Sequence, residues 1–236
     1  MMRNMKIRTR IGHTFVVDHL GPDATVVDLG MNKGAFTRYI VETSGASVVG
    51  AEPVPTLFAT LPKTGSIRPF NVAVGGNDGT ITLRLYQHKC ATTQYALVKG
   101  ERHIGEVDVP LVSFARFRAL AGIGVIQLLK VDIEGAELDM FEAMSDAEFA
   151  DIEQITVEFH DFLDLGYVPR LQAMLKRLVA VGFYVLNISL RHHADVVCLN
   201  MDAFPLTALA RAQMQIHKLV QGAVRVPRRH LFGLPN

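Results

Sequence analysis

The chain has 236 residues, 49% hydrophobic and 20% charged, which is enough apolar mass for one large core and too much for wholesale disorder. Its 24 Lys and Arg balance 23 Asp and Glu to a net +1, so overall charge gives no support to a nucleic-acid partner. Two cysteines, Cys90 and Cys198, exclude a disulfide scaffold or a Cys-rich zinc centre.

Residues 1–23 open the chain with Arg3, Lys6, Arg8 and Arg10 and no acid before residue 18, and read as a basic, solvated segment. They lack the apolar stretch of a secretory leader, and no later run has the length of a transmembrane segment, so a cytoplasmic location is expected. Thr25–Leu29 (TVVDL) is predicted as a strand. It runs through Gly30–Gly34 into a helix over about Ala35–Ser44, then a strand at Ser47–Ala51 and a short helix over Pro55–Leu61. Ser66–Val74 holds a third strand. The Gly75–Gly79 turn signal and the alternating Thr80–Tyr86 predict a hairpin partner for it. Residues 88–106 read as a loop, before a strand at Val107–Val112 and a helix over Phe114–Leu120. Val125–Ile133 has the continuous apolar character of a strand covered on both faces. A helix over Ala136–Met144, a strand at Gln154–Phe159 and a helix over Val168–Val181 follow. Phe183–Ile188 and Asp195–Leu199 are predicted to close the sheet as an antiparallel pair. Pro205–Leu219 reads as a helix whose Leu206, Leu209, Ala210 and Met214 form an apolar face. The alternation argues for one parallel-rich α/β domain over 24–200, with a C-terminal helical extension over 201–236.

The strongest local signal is the strand–turn–helix Val26-Val27-Asp28-Leu29-Gly30-Met31-Asn32-Lys33-Gly34-Ala35-Phe36. Open α/β sheets bind ligands outside the carboxyl ends of their strands, at such turns. Asp28 is an acid within a strand, where it needs a partner. Glu52 ends the next strand and can accept both ribose hydroxyls of an adenosine. A dinucleotide fingerprint wants glycine at the third and sixth positions of the turn; counted from Gly30 these are Asn32 and Ala35. Asp28 would also oppose a pyrophosphate. The cationic S-adenosylmethionine therefore fits better than NAD.

In Lys130-Val131-Asp132-Ile133-Glu134-Gly135-Ala136-Glu137, strand alternation puts Lys130, Asp132 and Glu134 on one face. Lys130 is read as an ion-pair partner and Asp132 as a site residue. Glu158 and His160 share a face at the end of the next strand. If the two strands are neighbours, Asp132, Glu158 and His160 converge, and a histidine there is the natural general base. His192 and His193 are read as solvated loop residues. Asp132 and Glu158 would fit a Mg²⁺ variant only loosely, because no third oxygen ligand is apparent, and no metal site is assigned.

The VDLGMNKGAF turn, the Glu52-Pro53 step, Asn71-Val72-Ala73-Val74-Gly75 and above all LLKVDIEGAE resemble the FkbM-type S-adenosylmethionine-dependent methyltransferases over about residues 24–200. The resemblance implies an α/β, Rossmann-like class I methyltransferase. It would have a mostly parallel seven-stranded sheet, a C-terminal antiparallel hairpin and helices on both faces. It further implies that Asp28, Gly30, Asn32 and Gly34 line the methionine end of the cofactor; Met31, Phe36 and Asp132 are also assigned to cofactor binding. Glu52 and Pro53 would hold the ribose, and Asn71 and Val72 would lie near the adenine. The implied reaction is methylation of a hydroxyl oxygen on a small molecule or glycan. The local reading of the strand ends, rather than the resemblance, makes His160 the general base, with Asp132 orienting the acceptor or the donor and Glu158 orienting His160 or pairing with Lys130. Thr92, Thr93, Gln94, Tyr95 and His103 are candidate acceptor contacts from the 88–106 loop. A non-catalytic binding module of the same fold and an NAD-dependent oxidoreductase remain as alternatives, and a homo-oligomer remains open.

Overall fold

A computed structural model describes residues 5–87, 102–161, 165–190, 192–204 and 206–232, with side chains described as far as residue 222. In chain order the strands and helices are β1 (Ile7–Arg10), β2 (His13–Val16), β3 (Thr25–Leu29), α1 (Ala35–Ser44), β4 (Ser47–Ala51), α2 (Pro55–Phe58), β5 (Ile67–Phe70), β6 (Ala73–Gly75), β7 (Gly79–Tyr86), β8 (His103–Ser113), α3 (Phe114–Ala121), β9 (Leu128–Val131), α4 (Glu137–Ala143), α5 (Asp146–Ala150), β10 (Gln154–Val157), α6 (Val168–Ala180), β11 (Phe183–Asn187), β12 (Val196–Asn200) and α7 (Ala208–Phe232).

The main sheet runs β11-β12-β10-β9-β3-β4-β5. Strands β10, β9, β3, β4 and β5 are parallel, and β12 is antiparallel to both its neighbours. Every residue of β9 and β10 is buried, which explains why these strands read as unbroken apolar runs. Alternate side chains serve opposite faces. On one, Val27, Leu29, Leu129, Val131, Ile155 and Val157 meet Phe117, Leu138, Phe141, Leu171 and Leu178 from α3, α4 and α6. On the other, Val26, Val48 and Leu128 meet Phe36 and Ile40 of α1 and Phe15 of β2. Further along that side, Val197 and Leu199 pack with Val16, Phe204 and Met214. Helix α1 starts and stops at left-handed glycines, Gly34 (φ 72°) and Gly45 (φ 73°), a conformation most side chains disfavour. Helix α5 begins with a Ser145–Glu148 capping box.

The structure corrects several sequence expectations. The basic N-terminal segment is not a solvated tail over its described part: β1 and β2 form an antiparallel hairpin, and His13, Thr14, Phe15 and Val16 are all buried. The Gln154 side chain donates to the Val16 carbonyl and accepts from its N–H, each at 2.9 Å. The Thr14 N–H and hydroxyl both donate to Asp195. The expected hairpin between the third strand and Thr80–Tyr86 does not form. The Ser66–Val74 stretch splits into β5, on the main sheet, and β6, on a second sheet of order β6-β8-β7. There β8 lies between the other two, parallel to β6 and antiparallel to β7. Of the expected loop, 88–101 lies outside the described residues, as do Thr92, Thr93, Gln94 and Tyr95, whereas His103 begins β8. Helix α7 extends well past residue 219. Its Met214 is fully buried but Leu209 is 43% exposed. His193 is not simply solvated: its Nδ1 lies 2.8 Å from Asp161 Oδ2. Among the described residues no helix is long and apolar enough to cross a membrane.

Candidate active site

A cleft open to solvent lies beyond the carboxyl ends of β3, β4 and β9, where the topology of an open α/β sheet directs a ligand. Gly30, Asn32, Glu52, Pro53, Asp132 and Glu134 contribute to its polar part. Val72, Ala73, Val74, Ile81, Leu83 and Leu111 form an apolar wall, much of it from the second sheet.

The turn after β3 is built by backbone requirements. The N–H groups of Gly30 and Met31 both donate to the Ala51 carbonyl at 3.0 Å, which fastens the end of β3 to β4. Gly30 has φ 81°, and a Cβ there would collide with the backbone carbonyl of Asp132. Only glycine lets the two strand ends approach this closely. Asn32 (φ 51°) and Glu134 (φ 53°) are non-glycine residues in the left-handed region. Both line the cleft, and strain of this kind gathers at functional sites.

Glu52 is 3% exposed. Its Oε2 accepts from the Asn32 N–H at 2.7 Å and its Oε1 from the Val54 N–H at 2.9 Å. Burial pushes its carboxyl above the ordinary glutamate value, against the opposing pull of those two donors. Asn71 does not line the cleft. Its Nδ2 donates to the Glu52 and Pro53 carbonyls, each at 2.9 Å, and so holds the Glu52-Pro53 step from behind.

Other expected cofactor contacts also lie away from the cleft lining. Asp28 is fully buried and faces α1, where it accepts from the Thr37 hydroxyl at 2.7 Å and pairs with Lys130 Nζ at 3.2 Å. The cation it needs is its cross-strand neighbour. Lys130 also donates to the Gly30 carbonyl at 2.6 Å. Burial alone would lower its pKa, but Asp28 and Asp132 outweigh that and raise it. Met31 packs with Leu61 and Ile67, Gly34 caps α1, and Phe36 meets Phe15 edge to face at 5.5 Å between ring centres.

The structure brings Asp132, Glu158 and His160 together because β9 and β10 are parallel neighbours. Burial opposes the charged form of Asp132, yet Lys130, His13 and His160 hold its carboxyl well below the usual carboxylate range. Glu158 is pushed up to about 7 by burial and then by the nearby Asp132 charge. Burial also works against a charged His160, but Glu137 and Glu134 raise it well above an ordinary histidine. Its Nδ1 lies 3.0 Å from Glu137 Oε1, and its Nε2 lies 3.4 Å from Glu134 Oε2 and 3.9 Å from Asp132 Oδ1. Both ring nitrogens therefore face carboxylates as donors.

Three residues were missed in the sequence. Glu134 shares the strand face already noted for Lys130 and Asp132, but its left-handed turn into the cleft leaves no sequence mark. Glu137 closes the KVDIEGAE run, and its Oε1 accepts from the Ile133 and Gly135 N–H groups and faces His160. His13 sits 3.6 Å from Asp132 Oδ2. In the sequence it opens a short His-Thr-Phe-Val run after the basic residues, and only the structure shows that run to be buried.

A mostly parallel α/β domain with a carboxylate-lined cleft at the strand ends defines a class of small-ligand proteins. Within it, this chain belongs to the FkbM methyltransferase domain family, which matches residues 28–185. It is 26% identical over 163 residues to Methyltransferase 1 of Beauveria bassiana (strain ARSEF 2860), covering 59% of this chain and 66% of that protein. It is 28% identical over 206 residues to the AMB antimetabolite synthetase AmbE of Pseudomonas aeruginosa, covering 70% of this chain and 10% of that protein. It is 26% identical over 176 residues to the 31-O-demethyl-FK506 methyltransferase FkbM of Streptomyces tacrolimicus, covering 60% of this chain and 67% of that protein. The chain thus spans just under two thirds of the first relative's length and a tenth of the second's.

Proposed function

We propose that this chain is an S-adenosylmethionine-dependent methyltransferase acting on a hydroxyl oxygen of a small molecule or glycan. The observation that carries the reading is Glu52: a buried carboxylate at the end of β4, held by two backbone donors and lining the cleft beside the Gly30 turn. Each of its oxygens keeps acceptor capacity for a ribose hydroxyl. The apolar wall at Val72, Ile81 and Leu83 suits a purine. The family match supports methyl transfer, and the name of the Streptomyces relative, which specifies a 31-O-demethyl substrate, supports an oxygen acceptor.

Bound S-adenosylmethionine would supply a methyl group already attached to a sulfonium leaving group. The protein's task is then to position the acceptor and receive its proton. Orientation alone can contribute up to about 7–11 kcal/mol in ideal cases. Asp132 lines the cleft and orients the hydroxyl by accepting its hydrogen bond. Glu134, also on the lining, takes the proton that the oxygen sheds as its bond to carbon forms. His160 is a positioning residue rather than the base, because neither ring nitrogen presents a lone pair to the cleft. It holds Glu134 and Glu137 in place.

Calorimetric titration with S-adenosylmethionine and S-adenosylhomocysteine tests the reading. Micromolar binding is expected, with Glu52→Gln weakening it by about 10–100-fold, as for a lost hydrogen bond to a charged acceptor. Val72→Trp, which fills the cleft, should abolish it. Labelled-methyl transfer to a panel of sugars, polyketides, amines and thiols should mark the hydroxyl compounds. A folded wild-type chain that binds neither nucleoside overturns the proposal.

A further inference from the structure

His13, Asp132 and Glu158 each offer one ligand atom, and these atoms all lie within 4.8 Å of one another. They come from β2 and from the ends of β9 and β10. The His13 side chain is 1% exposed. Its Nε2 is buried without a hydrogen-bond partner among the described residues, and the nearest carboxylate oxygen, Asp132 Oδ2, is 3.6 Å away. A buried nitrogen without a close acceptor is unfavourable, and a ligand between the two groups would satisfy it. The imidazole is also held in place. Its Nδ1 lies 3.5 Å from the Thr156 hydroxyl, its ring stands edge-on to Phe36 at 5.8 Å between centres, and Thr14 beside it is tied to Asp195. Supports of this kind orient metal-binding histidines.

We propose that His13, Asp132 and Glu158 bind a divalent first-row transition ion at the edge of the cleft. One imidazole and two carboxylates form a mixed nitrogen–oxygen donor set, which suits Mn²⁺, Fe²⁺, Co²⁺ or Zn²⁺. Mg²⁺ prefers oxygen ligands and retained waters. A second cluster, Asp132, Glu134 and His160, also lies within ligand distance, but both nitrogens of His160 already face carboxylates. Lys130 Nζ, 3.6 Å from Asp132 Oδ2, and His160 stand beside the site as the cations an added ion must tolerate. Because Asp132 also lines the cleft, an acceptor hydroxyl could complete the coordination. The ion would lower that hydroxyl's pKa, and its proton would leave to Glu134, which is outside the donor set. This catalytic part rests on the methyl-transfer reading; the binding of the ion does not.

The test is titration of Co²⁺ alone into the untagged full chain after chelator treatment, followed by calorimetry and visible absorption. One Co²⁺ per chain is expected, displaced by Zn²⁺ and poorly by Mg²⁺. His13→Gln and Glu158→Gln should each weaken binding by at least about 10–100-fold, the range found when even an outer-shell partner is lost. Glu134→Gln should leave it unchanged. Circular dichroism checks the fold, and Glu158→Gln, at a half-buried position, decides the matter if the His13 variant does not fold. No binding by the folded wild type, binding indifferent to both ligand variants, or binding lost with Glu134→Gln would overturn the site. Nucleoside binding is measured separately, so the two proposals can fail independently.

Discussion

Lys130 and Asp28 form an ion pair of 3.2 Å across adjacent strands in the middle of the main sheet, with side chains 4% and 0% exposed. The same ammonium reaches the Leu29 and Gly30 carbonyls at 3.2 and 2.6 Å. One buried cation therefore neutralises the strand acid and fastens the turn that leads to the cleft.

Removing one partner leaves the other charge buried and uncompensated. Lys130→Met is expected to destabilise the chain by about 3–5 kcal/mol. Adding Asp28→Asn should recover part of that loss, so that the double variant costs less than the sum of the singles. Urea unfolding of the four proteins checks this. Additive effects would show that the pair is not coupled.

Gly30→Ala places a side chain at φ 81° against the Asp132 carbonyl. The left-handed backbone alone costs roughly 1–2 kcal/mol for a residue with a Cβ, and the collision adds to it. The variant should be less stable by at least about 2 kcal/mol in urea and should lose nucleoside binding, because β3 and β9 must separate. Wild-type affinity in this variant would show that the close approach is dispensable.

Glu52 sets a pH dependence of definite sign. Its carboxyl is raised in the folded chain, so the native state holds this proton more tightly than the unfolded state. Its contribution to stability is greatest below the unfolded value of about 4.3 and is lost as pH rises through the higher folded value. As pH rises above about 4.3, the wild type should lose stability relative to Glu52→Gln. Nucleoside affinity should move the opposite way and rise over the same range, because hydroxyl donors favour the ionised carboxylate. Parallel denaturation and calorimetry at several pH values test both slopes.

The described part of α7 is docked through Met214, which is fully buried with Val16, Leu186, Val197 and Phe204. Met214→Ala should cost about 2–5 kcal/mol. Ile216→Ala, at a position 60% exposed, should cost little. Equal small effects would mean that the helix does not pack on the sheet in solution.

Much of this was written locally. The Thr25–Leu29 strand, the Gly30 turn, the helix after it and the Glu52 step depend on patterns a few residues long: alternation, glycine, an acid at a strand end. Such patterns survive in the sequence because the backbone and its nearest neighbours impose them, and they were enough to identify a mostly parallel α/β protein resembling the FkbM family. The convergence of Asp132, Glu158 and His160 was legible only as a condition, that the two strands be neighbours. Tertiary structure decided the rest. It gave Asp28 to Lys130 instead of to the cleft, and placed β8 between β6 and β7 where the turn signal suggested a hairpin. It turned both nitrogens of His160 toward carboxylates, and carried His13 from a basic segment to the side of Asp132. Each of these is a pairing between residues far apart in the chain. Its energy comes from burial and charge compensation at a distance, which leave no periodic or local trace for a sequence to show.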